Sequence, residues 1–369
     1  MKKMFFAALA CVALASCVNE SNDLVKQEKG QVLSFSSPVM YNQSRNFVGE
    51  IGPGVAYPTK ERFVVYGVEY EGEFSGWEGT NVIKDAAGNG FFPEAGEVVS
   101  SIGQGHWAPT TDYYLPTEPN RYLGFAAYSP YRAKDNATSI SYGPSGLSIV
   151  KWTMPTSDPY DLMFTNRILG VTVAEVPIAF RHALASLHFN FVKPAVADGG
   201  PYQVLISKLA IKGNGSGIVN QATFSNKIAK GNVEGAPAWD TDKASVNLPD
   251  EYVLFNGTFE VLDESKEIGN VASFMPIPQN LTQDMKLIIS YTIKQSSTDA
   301  NPQVVQDLEI PFTSFMYTNT DGTKANVTSW DMNYRYFYNI SFGALTKIYF
   351  HPSVTDWKED KNAGTYVIQ

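Results

Sequence analysis

Two strand-like segments meet in the run Val176-Pro177-Ile178-Ala179-Phe180-Arg181-His182-Ala183-Leu184-Ala185-Ser186-Leu187-His188-Phe189. The first segment ends at Phe180. A new alternation of apolar and polar residues begins at Leu187, and this is the pattern of a half-buried strand. We therefore expect a domain boundary near residue 182, between an N-terminal domain at 31–182 and a C-terminal domain at 183–369.

Apolar runs of strand length recur along the chain, and turn-forming residues separate them. The runs are Val32–Phe35, Phe63–Tyr70, Tyr122–Tyr128, Leu147–Trp152, Val171–Phe180, Leu187–Val192, Val204–Ile211, Met285–Ile293, Val304–Phe312, Tyr334–Phe342 and Lys347–Phe350. No window of a dozen residues has an amphipathic helical pattern with caps. The sequence therefore predicts an all-β protein with two tandem antiparallel β-sandwich domains.

The composition excludes several classes of protein. Hydrophobic residues make up 44% of the 369 residues and charged residues only 18%, so the chain can build a core and is not a disordered tail. The formal net charge of -9 would repel nucleic-acid phosphates and anionic lipid headgroups. We expect no nucleic-acid partner.

The first residues form an export signal. Lys2 and Lys3 precede an apolar run, and Leu14-Ala15-Ser16-Cys17 is a small-residue processing site that resembles the bacterial lipobox. This resemblance implies that residues 1–16 are removed and that Cys17 carries the lipid. The alternative is an ordinary signal peptide with an incidental cysteine.

The polar residues 17–30 lack hydrophobic periodicity and are predicted to form a tether between the lipid and the fold. Cys11, the only other cysteine, leaves with the leader. The exported chain therefore has no pair of cysteines for an internal disulfide, and its stability must come from core burial.

Catalytic and metal-binding motifs are not recognisable. The histidines, His106, His182, His188 and His351, are scattered, without the paired helical spacing of a zinc protease. We predict structural roles for His182 and His188, no catalytic residue, no metal site and no cofactor. The glycine-rich run 213–217 resembles a phosphate loop superficially, but β-prone residues follow it, so a hairpin loop is expected.

The aromatic residues leave two interpretations open. Tryptophans and the tyrosines near residue 336 could form a surface platform for stacking sugars, or they could fill the cores of the sandwiches. The core interpretation is favoured. The tryptophans are Trp77, Trp107, Trp152, Trp239, Trp330 and Trp357.

Several segments, in a shared order, resemble the fimbrillin (type V pilin) superfamily of Bacteroidetes. They are the lipobox, the early strand Val32-Leu33-Ser34-Phe35-Ser36-Ser37, Phe63–Val68, Tyr122–Pro130, Asp161-Leu162-Met163-Phe164, Val176–Phe189, Asn333–Ile340 and Val354-Thr355-Asp356-Trp357. The resemblance implies two transthyretin-like sandwich domains and assembly by strand exchange.

The resemblance also implies functional residues. A trypsin-like protease would cut after Arg45, although Lys60 and Arg62 are alternative sites, and this cut would remove the first strand and the lipid anchor. A strand from another pilin subunit would then enter the vacated groove. The candidate donor strand is terminal and includes Thr365, Tyr366, Val367 and Ile368. This segment could instead pair within its own chain.

The resemblance implies a non-enzymatic pilus subunit for adhesion. Its lipidated precursor would reside in the outer membrane through Cys17, and the processed form would lie in an extracellular fimbria that meets a host or bacterial surface ligand. The alternative is a monomeric outer-membrane lipoprotein that binds glycans through exposed aromatics. A glycosidase with paired carboxylates is a third and weaker hypothesis.

Overall fold

The structure is a computed structural model. It describes residues 30–40, 57–193, 202–213, 217–229, 233–242, 246–248, 251–263, 266–268, 274–296, 298–318, 323–342 and 348–356. Every statement about the fold below concerns these residues.

The strands up to the predicted boundary and just beyond it alternate with turns and one 3₁₀-helix, Tyr131–Asn136. They are β1 (Ser34–Ser36), β2 (Val39–Met40), β3 (Phe63–Glu71), β4 (Val82–Ile83), β5 (Glu97–Gly103), β6 (His106–Pro109), β7 (Arg121–Ser129), β8 (Ser139–Gly143), β9 (Gly146–Thr153), β10 (Met163–Phe164), β11 (Ile168–Val171), β12 (Glu175–Val176), β13 (Ala179–His182) and β14 (Ser186–Val192).

The remaining strands have the same character, with a second 3₁₀-helix at Phe312–Ser314. They are β15 (Gln203–Gly213), β16 (Val219–Ala229), β17 (Val233–Asp240), β18 (Val246–Asn247), β19 (Glu251–Glu260), β20 (Lys266–Glu267), β21 (Gln279–Asn280), β22 (Met285–Lys294), β23 (Gln303–Pro311), β24 (Met316–Thr318), β25 (Lys324–Asn326), β26 (Ser329–Trp330), β27 (Tyr334–Phe342) and β28 (Ile348–Asp356).

The N-terminal half is built around an eleven-stranded sheet. Its order is β12-β1-β6-β5-β3-β7-β10-β13-β2, with β11 beside β7 and β4 beside β3. Only Pro177 and Ile178 separate β12 from β13 in the sequence. The strand at one end of the order, β12, and the strand next to the other end, β13, therefore lie on one continuous segment, and β1 and β2 both run parallel to it.

The C-terminal half contains two four-stranded sheets, β20-β14-β27-β28 and β19-β15-β22-β23. Aromatic rings join their facing sides. Phe191 of β14 lies 6.2 Å from Phe259 of β19, and Tyr291 of β22 lies 5.0 Å from Phe342 of β27, between ring centroids. Alternate residues of each strand thus form one core between the two sheets.

A five-stranded sheet couples the two halves. β9 pairs with β16 in the order β17-β16-β9-β8, with β18 beside β16. Ring contacts also cross residue 182, since Phe164 lies 4.9 Å from Phe224 and Trp152 lies 5.7 Å from Trp239. A domain division near residue 182 stays a prediction, and the described halves share core contacts across it.

The connector, residues 183–187, is fully buried and bonded to several distant segments. Its alanines and leucines pack in the larger core cluster, which extends from Val64 to Phe342. Its backbone hydrogen bonds are Ala183 N to Leu162 O (2.8 Å), Ala185 N to Pro276 O (3.1 Å), Leu187 N to Phe274 O (2.9 Å), Asn333 N to Leu184 O (2.9 Å) and Trp239 Nε1 to Ala183 O (2.6 Å). Small side chains are required here because so many segments converge on one short peptide.

The all-β prediction is confirmed, whereas the tandem-sandwich arrangement stays a prediction. The run predicted at Val171–Phe180 is broken into separate strands, because Pro177 has no N–H for a sheet ladder. The hairpin predicted at 213–217 is wrong. β15 ends at Gly213 and β16 begins at Val219, but the two strands lie in different sheets and pair with partners distant in the sequence.

Candidate functional site

The first-strand segment, residues 30–40, lies within the eleven-stranded sheet. β1 pairs with β6 on one side in antiparallel register, with Phe35 opposite Trp107 and Ser36 opposite His106. On its other side β1 pairs with β12 in parallel register, with Phe35 opposite Val176. The segment is therefore an inserted strand with a partner on each side.

Burial alternates along the segment as it does in any strand with one face on a core. Leu33 and Phe35 are almost completely buried, while Val32 is 49% exposed. The Phe35 ring meets Phe63 and Phe125 edge-on, with centroids 6.2 and 5.6 Å away. Each such side chain contributes about 1.5–3 kcal/mol by leaving water.

Backbone hydrogen bonds extend the pairing beyond β1. Leu33 N donates to Tyr113 O at 2.7 Å, Ser34 N donates to Ala174 O at 2.7 Å, and Leu115 N donates to Gln31 O at 3.0 Å. The Gly30 backbone is so close to Leu115 that a Cβ there would overlap the Leu115 carbonyl oxygen. Removing the segment would leave these carbonyl and amide groups without their partners.

An exposed pair of side chains bridges the strands on either side of β1. Nδ1 of His106, in β6, lies 2.9 Å from Oε1 of Glu175, in β12. Because Ser36 stands opposite His106 and Ser34 opposite Glu175, the pair spans the inserted strand. About half of each side chain is exposed, so its contribution to stability is small.

Tyr57 lies in the same core, immediately after the undescribed residues 41–56. Its ring centroid is 5.0 Å from that of Trp107, 5.9 Å from Phe63 and 6.0 Å from Phe180. Its hydroxyl shares a 2.6 Å hydrogen bond with Ser129, and burial raises the pKa of Tyr57. Tyr57 is thus a neutral core residue that does not belong to the first-strand segment.

The predicted site residues Cys17, Arg45, Thr365, Tyr366, Val367 and Ile368 all lie outside the described residues. The alternative cleavage residues Lys60 and Arg62 are described, and both are exposed in the turn before β3. Sequence reasoning identified β1 as an early strand. It did not identify β6 and β12 as its neighbours, because the pairings join residues 70 or more positions apart.

The described histidines of the core are held by their neighbours. His182 Nδ1 lies 2.5 Å from Oδ2 of Asp161, and both side chains are buried. His188 Nε2 lies 2.9 Å from the Ser186 hydroxyl, and its ring stacks on Phe337. Burial first, and then the charge of Arg335, hold the pKa of His188 well below its usual value. Neither ring is open to a substrate.

The described tryptophans belong to the interior. Trp77, Trp107, Trp152 and Trp330 are buried, and Trp239 is half-buried with its indole N–H on Ala183 O. Tyr336 and Tyr338 are buried as well. The core interpretation of these rings is therefore correct, and these tryptophans do not form a surface platform.

In the part of the chain that the structure describes, no helix is long and apolar enough to cross a membrane. The same residues include no group of three or more histidine, cysteine or acidic side chains placed to bind a metal ion.

Comparisons with known proteins agree with this architecture. The model of the fimbrillin-like family matches residues 74–357. A fimbrial protein from Bacteroides vulgatus has a similar structure, with 17% identity and a TM-score of 0.53 over 80% of this chain and 92% of that one. No curated protein matches the sequence.

Weaker structural likenesses accompany these. A candidate cell adhesion protein from Bacteroides uniformis is 15% identical, with a TM-score of 0.41 over 88% of this chain and 98% of that one. Another from Parabacteroides distasonis is 12% identical, with a TM-score of 0.43 over 88% of this chain and 97% of that one.

The family match covers most of the chain, including the connector and the strands on both sides of it. The chain therefore belongs to the fimbrillin-like family.

Proposed function

We propose that this chain is a structural, non-catalytic subunit of a surface fimbria that serves adhesion. Its precursor is exported as a lipoprotein anchored in the outer membrane through Cys17. Proteolysis after Arg45 then frees the first-strand segment and the lipid, and an extended strand of another pilin subunit takes the vacated place. The processed subunit becomes part of the extracellular fimbria.

The observation that carries this proposal is the position of β1 between two strands that do not pair with each other. β6 and β12 each pair with β1, so its loss opens one groove with unpaired backbone edges on both sides. The rings of Phe63 and Phe125 line its floor. An incoming strand with apolar residues at alternate positions would satisfy both the backbone and the core.

The position of Tyr57 favours Arg45 over Lys60 and Arg62 as the cleavage site. A cut after Lys60 or Arg62 would separate Tyr57 from β3 and place it on the leaving fragment. The chain would then lose the ring that contacts Trp107 and Phe180 and the hydrogen bond to Ser129. A cut after Arg45 leaves Tyr57 covalently attached to the folded part.

The candidate donor strand has a suitable pattern. Tyr366 and Ile368 share one face of an extended segment, and Thr365 and Val367 share the other. Either face could present two side chains at the spacing of Leu33 and Phe35. Donation from subunit to subunit is head-to-tail, and a head-to-tail contact whose rotation does not close a ring gives a filament.

The test is the N-terminal peptide of the protein sheared from intact cells, identified by mass spectrometry. We expect a start at Asn46, and we expect Arg45→Ala to leave a lipidated Cys17 start with little protein released. Arg62→Ala and Lys60→Ala are the matched controls and should process normally. A wild-type start at lipidated Cys17, with nothing released by shear, would overturn the proposal and favour a monomeric lipoprotein. A start at residue 61 or 63 would contradict the choice of Arg45.

A further inference from the structure

A cavity of about 400 Å³ opens on the N-terminal half, between β3, β8 and the loop at 84–94. This volume lies within the ~300–1,000 Å³ typical of small-molecule sites. The cavity is distinct from the first-strand groove, since neither Leu33 nor Phe35 lines it.

Aromatic side chains form one wall of this cavity. The ring centroid of Trp77 lies 4.3 Å from that of Tyr142, and Tyr142 stacks on Tyr66 at 5.8 Å. Phe92 also lines the cavity and is almost fully buried, and it belongs to the core cluster that contains Phe125. Gly67 leaves room for the Phe92 ring, because a Cβ at this position would come within 2.7 Å of it.

Polar side chains form the opposite rim. Glu78, Lys84 and Glu94 line the cavity, and all three are exposed. Two carboxylates and one ammonium group give the rim a formal charge of about -1, in a chain whose net charge is -9. The rim therefore disfavours acidic ligands and offers both hydrogen-bond donors and acceptors.

The loop that carries part of this rim is fixed in shape. Asp85 Oδ1 accepts hydrogen bonds from Ala87 N at 2.9 Å and Asn89 N at 2.8 Å, and Asp85 Oδ2 accepts one from the Asn89 amide at 2.8 Å. These bonds to the charged form lower the pKa of Asp85. A preformed wall reduces the entropy that binding would otherwise lose.

We propose that this cavity binds a neutral carbohydrate unit. The C–H face of a pyranose ring suits the aromatic wall of Trp77 and Tyr142, and its hydroxyls can donate to Glu78 and Glu94 and accept from Lys84. This site is recessed, unlike a platform of exposed tryptophans. The inference goes beyond the proposed function and does not depend on polymerisation.

The test is saturation-transfer NMR and calorimetric titration of the full chain in detergent with N-acetylglucosamine, galactose and mannose. N-acetylneuraminic acid is the acidic comparison. We expect at least one neutral sugar to bind and the acid to bind more weakly. The double variant Glu78→Gln/Glu94→Gln should weaken binding about tenfold, because hydrogen bonds to charged acceptors are lost. Asp263→Asn, an exposed carboxyl of the C-terminal half, is the matched control and should bind normally.

Gly90→Phe tests the location of the site. A Cβ at Gly90 would meet only the Phe92 oxygen, at 3.6 Å, so the backbone accepts a side chain that blocks the cavity. We expect Gly90→Phe to abolish sugar binding while leaving the melting temperature and N-terminal processing unchanged. Absence of binding by all three neutral sugars, preference for the acidic sugar, or binding that survives Gly90→Phe would each overturn the inference.

Discussion

The connector at 183–187 and the first-strand segment at 30–40 are both buried, but they are held in different ways. Backbone bonds tie the connector to strands and loops of both halves, from Leu162 to Asn333. The first-strand segment bonds to the chain that flanks its own slot, near β6 and β12, and through β2 to β13, the strand that follows β12 in the sequence.

Burial alone therefore does not make a segment a permanent part of the fold. Removing the connector would divide the shared core. Removing the first-strand segment opens the groove between β6 and β12, takes β2 from the other end of the sheet, and leaves β3, β7 and their other neighbours paired. A segment that fills a slot can be exchanged for another strand of the same pattern, and this is the property that the proposed assembly needs.

The largest expected effect is on the core contact of the first strand. Phe35→Ala in the unprocessed chain should lower the free energy of unfolding by about 3–5 kcal/mol, because a cavity forms against Phe63 and Phe125. Urea denaturation measures this change. Val32→Ala, on the exposed face of the same segment, is the control and should change stability by less than about 0.5 kcal/mol. Equal losses in both variants would contradict the burial pattern.

We expect a larger side chain in the connector to lower the stability of the chain. Ala185→Leu should lower the free energy of unfolding by about 1–3 kcal/mol, since Ala185 is fully buried and its N–H is bonded to Pro276. The loss should persist after residues 1–45 are removed. The effect of Phe35→Ala should disappear, because Phe35 is removed with them. Ala87→Leu, at an exposed position, is the matched control. A melting temperature of Ala185→Leu equal to that of wild type would show that the connector is loosely packed.

Because His188 is buried next to the connector, we predict that the stability of the folded chain depends on pH. Its pKa is lowered in the folded chain, so below the ordinary value of 6.5 the unfolded chain binds a proton that the folded chain does not. Stability should therefore fall as the pH drops below 6.5, with a slope of up to about 1.4 kcal/mol per pH unit from this group.

Denaturation of His188→Gln between pH 7 and 5 should show a flatter slope than wild type. Ala87→Gln, at an exposed position without a titratable group, is the control and should keep the wild-type slope. An unchanged slope in His188→Gln would mean that other groups carry the acid sensitivity.

The smallest expected effect is on the pair that spans β1. Glu175→Gln removes the charge beside His106 and should change stability by less than about 1 kcal/mol, because both side chains are half-exposed. The change should shrink further in 1 M salt. A loss above 2 kcal/mol in denaturant titration would show that this pair, and not the core under Phe35, holds the first strand.

Local patterns predicted the strands better than they predicted the pairing. The run at Phe63–Tyr70 lies within β3, and the run at Tyr334–Phe342 matches β27. Both were predictable because the alternation of apolar residues is a local property. β17 and β19 were missed, since their sequences carry polar residues and glycines at positions that are half-exposed. Their strand conformation depends on pairing with β16 and β15, which no local window contains.

The candidate site was predicted in outline only. Leu33 and Phe35 stand two residues apart, which indicates a strand with one buried face. The neighbours β6 and β12, and the anchoring of Tyr57, follow from contacts across long sequence separations. The family resemblance, confirmed by the match over residues 74–357, gave the expectation that this strand is removable. That expectation stays a prediction.

A reversible disulfide on the first strand tests whether this strand must leave its groove before polymers form. Ser36 and His106 are direct cross-strand partners, so Ser36→Cys/His106→Cys can form a disulfide that ties β1 to β6. The measurement is the polymer ladder of the protease-treated protein on a non-denaturing gel, with and without a reductant. We predict monomers while the disulfide is intact and polymers after reduction, with each single-cysteine variant polymerising in both conditions. Equal polymer formation with the disulfide intact would contradict the claim that the first strand must leave its groove.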